Sequence, residues 1–400
     1  MVNYSGITVN ITDSGLGRQS PGKDYYSGLI FQAPTSPASW DSSGIERVTS
    51  VSFAEAKGLT VALFPLAHYH ISEFFRITEK YNVSAFIDVM FANITAGTYD
   101  GTEIITLQDN ANGALRQIAV MLTDTFAESM VTVSDDKAIL LDNAGTPTNI
   151  YLCADIATAS TLTDLRLLDK KWVSVNIAQD SGGVGGALFT SSGKSVGTLG
   201  VQLGITAVAK VHESIGRGTF DVSGGTELQT LAFVDGSLIS ALTTAVLVEQ
   251  LDSYGYSILV NVPNKAGSYW FKDSPTASAN TSDFVSQRLN RVIGKAKRLL
   301  LENYAPYRES PLYINPTTGF LTEKTIQEFT LIGENSLNVL AIAGEISFDQ
   351  ATGKIPNNAI TIDPTQNVLT SNEIKINAKI VPVGVASAIT ITLGLTTSIQ

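Results

Sequence analysis

Charge is scarce in this chain. Of its 400 residues only 16% are Asp, Glu, Lys or Arg, while 44% are hydrophobic. Ordinary soluble domains carry about 25% charge, so the chain reads as globular and not disordered. Basic charge is the scarcer sign: 26 Lys and Arg stand against 37 Asp and Glu, a net charge of -11. That balance argues against a binder of duplex DNA or of an anionic membrane. The one cysteine, Cys153 in the apolar run NIYLCADI, excludes an internal disulfide framework and any Cys-rich metal site. It fits a reducing compartment and reads as a small buried hydrophobe. MVNYSGITVNITDSGLGR has no basic stretch followed by an apolar core, so no secretory signal is expected.

Long membrane-spanning helical runs are missing too. Everything after Lys379 is uncharged and long enough for a bilayer, yet it reads IVPVGVASAITITLGLTTSIQ. Ile389, Ile391 and Leu393 alternate with Thr390 and Thr392, and that period of two predicts a strand. The opposite end repeats the pattern, with Ile7, Val9 and Ile11 alternating with Thr8, Asn10 and Thr12 before the turn-rich DSGLGRQSPGKD. Either both ends are edge strands of the protein's own sheet, or they are short strands on tethers.

What is present is an alternation of apolar runs and helical patterns. The runs at 28–33, 84–91, 116–122, 149–156, 172–178 and 256–262 predict strands apolar on both faces, as helices covering a sheet on each side require. Helices are predicted around 66–81, 134–144, 195–216 and 237–255, giving an α/β sandwich. In the third of these, Gly197, Gly200 and Gly204 permit a close neighbour. After Pro263 come two long helices, Asp283 to about Tyr304 and Thr322 to Ala343, followed by strands EISFDQ, AITIDP and SNEIKINAKIVPV, a separate α+β unit.

Candidate chemistry is sparse. GKS at 193–195 lacks the opening glycine of a phosphate loop, since Leu188 stands there. The same residues, Gly193 to Gly197, satisfy the G-x-S-x-G of a hydrolase nucleophile elbow at Ser195. The triad needs a later histidine beyond an acid, and the one available is His212 in the same expected helix, so Ser195 reads as a helix N-cap. His68 and His70, two apart on a helix, point about 200° from each other and cannot share a metal ion. His70 could meet Glu73, with a surface or capping role expected. The glycines 182, 183, 185 and 186 form a turn without a cofactor fingerprint, and Asp135-Asp136 reads as a helix N-terminus. At about 100° per residue, Arg288, Arg291, Lys295 and Arg298 share an arc of about 80° beside an apolar face formed by Val285, Leu289, Val292, Ile293, Ala296, Leu299 and Leu300. This basic stripe is either a solvated outer face or a docking rail for an acidic partner.

The motifs GLGRQSP with SGLIF at 15–31, HYHISEFFR at 68–76, RQIAVML at 116–122, GSYWFKDSPTAS at 267–278 and SDFVSQRLNRVIGKAKR at 282–298 appear in an order and spacing that resembles the contractile tail sheath proteins of bacteriophages and related contractile injection systems. The resemblance implies a scaffold without cofactors, not an enzyme. Its fold would be α/β, with a subtilisin-like α/β sandwich at 23–265 that lacks catalytic residues and a tube-facing α+β sheath domain at 266–385. Terminal arms at 1–22 and 386–400 would donate strands to neighbours, carried by Ile7, Val9, Ile11, Ile389, Ile391 and Leu393. The implied assembly is a stack of rings, usually hexameric, around an inner tail tube, switching once from a long state to a short wide one. Its partners would be neighbouring sheath subunits, the tube protein, and baseplate and tail terminator proteins, with no nucleic acid and no membrane insertion. Assembly in the host bacterial cytoplasm and residence in the virion follow, and the sheath of a phage-derived injection device is the sister reading. The basic stripe becomes the candidate tube contact. Two other classes stand beside it, a serine hydrolase using Ser195 and another self-assembling shell or surface-layer protein.

Overall fold

The computed structural model describes residues 23–154, 163–240 and 243–387. The terminal strands expected around Ile7, Val9 and Ile11 and around Ile389, Ile391 and Leu393 lie outside the described residues. Among the described residues, the first two thirds of the chain are organised by the strands β1 (Ser27–Gln32), β2 (Ile45–Val48), β3 (Ile87–Ala92), β4 (Gln117–Met121), β5 (Asn149–Cys153), β6 (Val173–Asn176), β7 (Ala178–Asp180), β8 (Leu231–Phe233) and β9 (Tyr256–Ser257). Seven of them form one sheet in the order β2-β3-β1-β4-β5-β6-β9. All neighbours run parallel except β2, which is antiparallel to β3 at the edge. The remaining pair, β7 and β8, forms its own antiparallel ribbon. The molecule is thus mixed α/β with a parallel-rich central sheet.

Seven helices accompany these strands: α1 (Val51–Ala56), α2 (Pro65–Lys80), α3 (Thr102–Asn110), α4 (Glu128–Asn143), α5 (Val184–Ser192), α6 (Leu199–Val208) and α7 (Ala245–Ser253). Every residue of β1, β3, β4 and β6 is buried, which is why those runs are apolar on both faces. Leu29, Phe31, Val89 and Phe91 pack with Phe74 of α2 and Leu203 of α6, whereas Ile30, Met90, Val120 and Ile150 pack with Ile104 and Leu107 of α3 and Val131 and Ala138 of α4. Alternate side chains of one strand therefore feed two cores. Each such fully buried side chain contributes about 1.5–3 kcal/mol. The expected role of the glycines holds where α6 crosses α2, because a Cβ on Gly200 would run into the His70 carbonyl and one on Gly204 would sit 2.9 Å from Ile77 Cβ.

Several expected elements are shorter. The helix expected over 195–216 is only α6, with Thr198 at its N-cap position and its end at Ala209. At that end the carbonyls of Thr206, Ala209 and Lys210, which a longer helix would use itself, accept hydrogen bonds from Arg291. The helix expected from 237 starts at 245, because Ser237 and Ile239 are tied into a turn after β8 by the bonds Phe233 N to Ser237 O and Ile239 N to Leu231 O. Asp135 and Asp136 lie in the middle of α4, not at its start. The Asp135 carboxylate accepts the Trp172 amide at 2.8 Å instead.

The expected boundary between 265 and 266 falls inside a hairpin of β10 (Leu259–Asn261) and β11 (Ser268–Trp270). Trp270 and Ala277 pack in the main core, and an α+β stretch follows them. It contains α8 (Gln287–Tyr304), α9 (Glu323–Ile342), a two-stranded antiparallel sheet of β12 (Ile360–Ile362) and β13 (Ile376–Ala378), and the single turn α10 (Val368–Ser371). Thr322 caps α9 by accepting the Thr325 amide. Val292 and Ala296 of α8 meet Leu337, Leu340 and Ala341 of α9 and Ile360 of β12. The run EISFDQ forms no strand and contributes one isolated bridge, Ile346 to Pro382.

Candidate functional site

The expected histidine and serine chemistry dissolves on inspection of its geometry. Ser195 lies in the loop between α5 and α6, so it follows a helix and not the strand that a nucleophile elbow requires. It is largely buried, and its Oγ lies 3.8 Å from Cys153 Sγ. No imidazole hydrogen bonds it among the described residues, and it is not the N-cap of α6. His68 reaches Glu55 Oε1 at 2.9 Å and Ser72 Oγ at 3.2 Å. His70 is fully buried, and its Nδ1 accepts the Gly200 amide at 3.2 Å in the first turn of α6. It is therefore a cap supplied by a neighbouring helix. Burial pulls its pKa down to about 4. The possible meeting of His70 with Glu73 is replaced by a two-pronged pair of Glu73 with Arg76, at 2.8 and 2.6 Å. The glycine turn at 182–186 is pinned, since Asp180 Oδ1 accepts the amides of Gly182 and Gly183 while Glu227 accepts that of Val184. Among the described residues no group of three or more His, Cys, Asp or Glu could hold a metal ion, and no helix is long and apolar enough to cross a membrane.

The charged cluster lies on α8. Its period places a basic arc beside an apolar one, and the basic arc is largely covered, as is the apolar one except at Ile293. Val292 and Ala296 face α9, while Arg291, with only 6% of its surface exposed, points into the α/β body. Arg291 Nη2 donates to Thr206 O at 2.9 Å and Ala209 O at 2.8 Å, and Nη1 to Lys210 O at 3.3 Å. A cation on the carbonyl end of α6 is favoured by the partial negative charge there. Lys295 Nζ lies 2.7 Å from Asp24 Oδ2 and 2.8 Å from Glu345 Oε1. Arg298 Nη2 donates to Asp24 Oδ1 at 2.8 Å. Arg288 Nε stands 3.6 Å from Asp273 Oδ2, and its Nη1 donates to Val383 O at 2.9 Å. Lys297, outside the arc, pairs with Asp142 at 2.8 Å.

The stripe is thus neither a solvated face nor an outward rail. Side-chain exposures of 12% at Arg288, 17% at Lys295 and 19% at Arg298 correct that expectation, because these cations are engaged within their own chain. Their partners Asp24, Glu345 and Asp273 are single acids scattered along the sequence, and no local pattern marks them. Burial pushes the Asp24 carboxyl up, yet Lys295, Arg298 and Arg291 together hold it below the ordinary value. Arg116 joins the cluster from the start of β4, and burial with Arg298 nearby pulls it down to about 10. Between Arg116, Asn149, Asn290 and Arg291 remains a cavity of about 10 Å³, the size of one water. The arrangement can bind segments of its own chain together; it has no nucleophile and base in register.

With this geometry in view, similarity to known proteins is informative. A family model described as DUF2586, N-terminal domain, matches residues 4–273. No curated protein matches the sequence. Among solved structures, a chain in the cryo-EM structure of the anti-feeding prophage baseplate, 6-fold symmetrised, is similar with a TM-score of 0.62 and 12% identity over 99% of this chain and 100% of that one. A chain in the cryo-EM structure of an extracellular contractile injection system, the PVC sheath complex in its contracted state, is similar with a TM-score of 0.56 and 11% identity over 99% of both chains. At such identities the likeness shows a shared fold.

Proposed function

The chain belongs to the DUF2586 family, and from its fold we propose that it is a structural subunit of a contractile tail or injection machine, polymerising as a sheath around an inner tube. The observation that carries this reading is coverage: the fold likeness extends over essentially the whole of this chain and the whole of both neighbour chains. The subunit works by assembly and rearrangement of rigid bodies, so no nucleotide or cofactor is required. Stacked rings, six-membered in this reading, would store the long state as a trapped arrangement and release it once.

The terminal segments are the proposed connectors. Strands around Ile7, Val9 and Ile11 and around Ile389, Ile391 and Leu393 would add to the edges of a neighbour's β12–β13 sheet, which has only two strands among the described residues. Donor and acceptor surfaces differ, so the contact is heterologous and propagates into rings or helices. Partners would be the chain itself, a tube protein, and baseplate and terminator proteins, in a virion or a phage-derived device assembled in a bacterial host. Since a similar structure is a baseplate, a second reading places the subunit in a single ring at the baseplate end.

Truncation tests the connectors. Removing residues 1–14 or 387–400 is expected to leave a folded subunit that sediments as a monomer and forms no polymer. Unchanged polymers would overturn the connector assignment, and full-length protein that forms closed rings but never tubes would favour the baseplate position.

A further inference from the structure

The described chain begins and ends against one helix. Near its start, Asp24 is held by Lys295 and Arg298 at 2.7 and 2.8 Å. Near its end, Val383 O accepts from Arg288 at 2.9 Å. Arg288 and Lys295 are two turns apart on α8, about 10 Å along its axis. A string of hydrogen bonds closes the circuit between them. Lys295 bonds Glu345 Oε1 at 2.8 Å. Two residues on, the Ser347 amide donates to Val381 O at 2.8 Å and its hydroxyl to Pro382 O at 3.1 Å. Ile346 forms its isolated bridge with Pro382, and the next residue is Val383.

We propose that α8 is a clamp coupling the roots of the two terminal segments, with Lys295 as its shared pin, so that releasing one root loosens the other. Glu345 is 6% exposed, and Lys295 is its one ion-pair partner among the described residues. If Asp24 lets go, two largely covered cations, Lys295 and Arg298, lose their nearest anion and the helix face that holds them gains a reason to hydrate or shift. Lys295 cannot move without leaving Glu345 uncompensated, and Glu345 stands two residues from the bond that fixes Val381. The coupling is thus carried by a contiguous polar network with a named pin, the kind of path that requires a direct test. Its meaning in an assembly rests on the connector reading of the termini, since two arms reaching two neighbours would then report each other's engagement. The coupling itself belongs to the single chain.

The test is hydrogen exchange on the full chain at a concentration where it is monomeric, reading the peptide that contains Ser347. Asp24→Asn keeps the shape of residue 24 and touches neither Glu345 nor Val381. It is expected to speed exchange of the Ser347 amide at least fivefold, as Lys295→Met does, whereas Lys297→Met, on the same helix but outside the circuit, leaves it unchanged. Reciprocally, Arg288→Lys keeps a charge near Asp273 but shortens the donor to Val383 O, and should speed exchange of the Arg116 amide that bonds Tyr26 O. Acceleration confined to peptides around residue 24 in Asp24→Asn, with Ser347 at the wild-type rate, would overturn the clamp. So would an equal response to Lys297→Met. Because the readout is taken on monomers, failure of the clamp and failure to polymerise are separate results.

Discussion

The α/β body and the α8 seam are held together by different forces. In the body, alternate faces of β1, β3 and β4 are buried in two apolar cores, and the crossing of α2 on α6 is close enough for only glycine at 200. At the seam, Arg291, Lys295, Arg298 and Arg288 are matched to Asp24, Glu345, Asp273 and four carbonyls. Apolar burial is non-directional and only weakly sensitive to salt, whereas ion pairs are directional, screened and separable. If the proposed assembly role holds, this division keeps the body rigid and places the adjustable contacts at the joint near both termini.

Perturbations should follow that division, and the largest effect belongs to the body. Phe74→Ala removes a fully buried ring between the sheet and α6 and is expected to cost about 3–5 kcal/mol in chemical denaturation. A loss below about 1 kcal/mol would mean that this core is loosely packed. Next comes His70. Its folded pKa of about 4 lies below the unfolded value of 6.5, so the unfolded state binds the proton first. Its contribution is complete above pH 6.5 and is lost as pH falls from there toward 4, a total of about 3 kcal/mol at one proton. His70→Asn keeps an acceptor for the Gly200 amide and should flatten that part of the stability profile; a profile that retains its slope would assign the acid sensitivity elsewhere.

Seam substitutions rank lower. Arg291→Met leaves the carbonyls of Thr206 and Ala209 without the guanidinium donor, while Lys210 O keeps the Glu213 amide, and is expected to cost about 2–3 kcal/mol, with the loss concentrated in exchange at the end of α6. Lys297→Met breaks a pair in which the lysine is 37% exposed and should cost under about 1 kcal/mol, less at high salt. If Lys297→Met proved as damaging as Arg291→Met, the distinction between an internal seam and an ordinary helix surface would fail.

The same division explains what the sequence revealed. Strands buried on both faces announce themselves as apolar runs, so the runs at 28–33, 84–91, 116–122 and 149–156 correspond to β1, β3, β4 and β5, whereas those at 172–178 and 256–262 each split into two short strands of different sheets; the pattern around residues 66–81 predicts α2 closely. The antiparallel edge strand β2 and helix α3 are not legible in the sequence, since IERV and TEIITLQDN are short and carry weak periodicity. The 195–216 pattern overran because Arg291, some 80 residues away, takes the carbonyls that would have continued the helix. The basic stripe was legible as an arc, but periodicity reports only that residues share a face. It says nothing about what covers that face. In the folded chain Arg291 is buried while Ile293 from the apolar arc is 39% exposed, an inversion that depends on Asp24 and the end of α6. The low charge fraction fits the proposed assembly, in which a subunit covered by neighbours would need few solvating groups.

The central claim is that this chain builds a tubular or ring-shaped scaffold by self-association. Electron microscopy of the purified full-length protein at high concentration tests it most directly. Hollow tubes or stacked rings of regular symmetry are the predicted result; a uniformly monomeric protein that forms neither, alone or with a co-expressed tube protein, would contradict it.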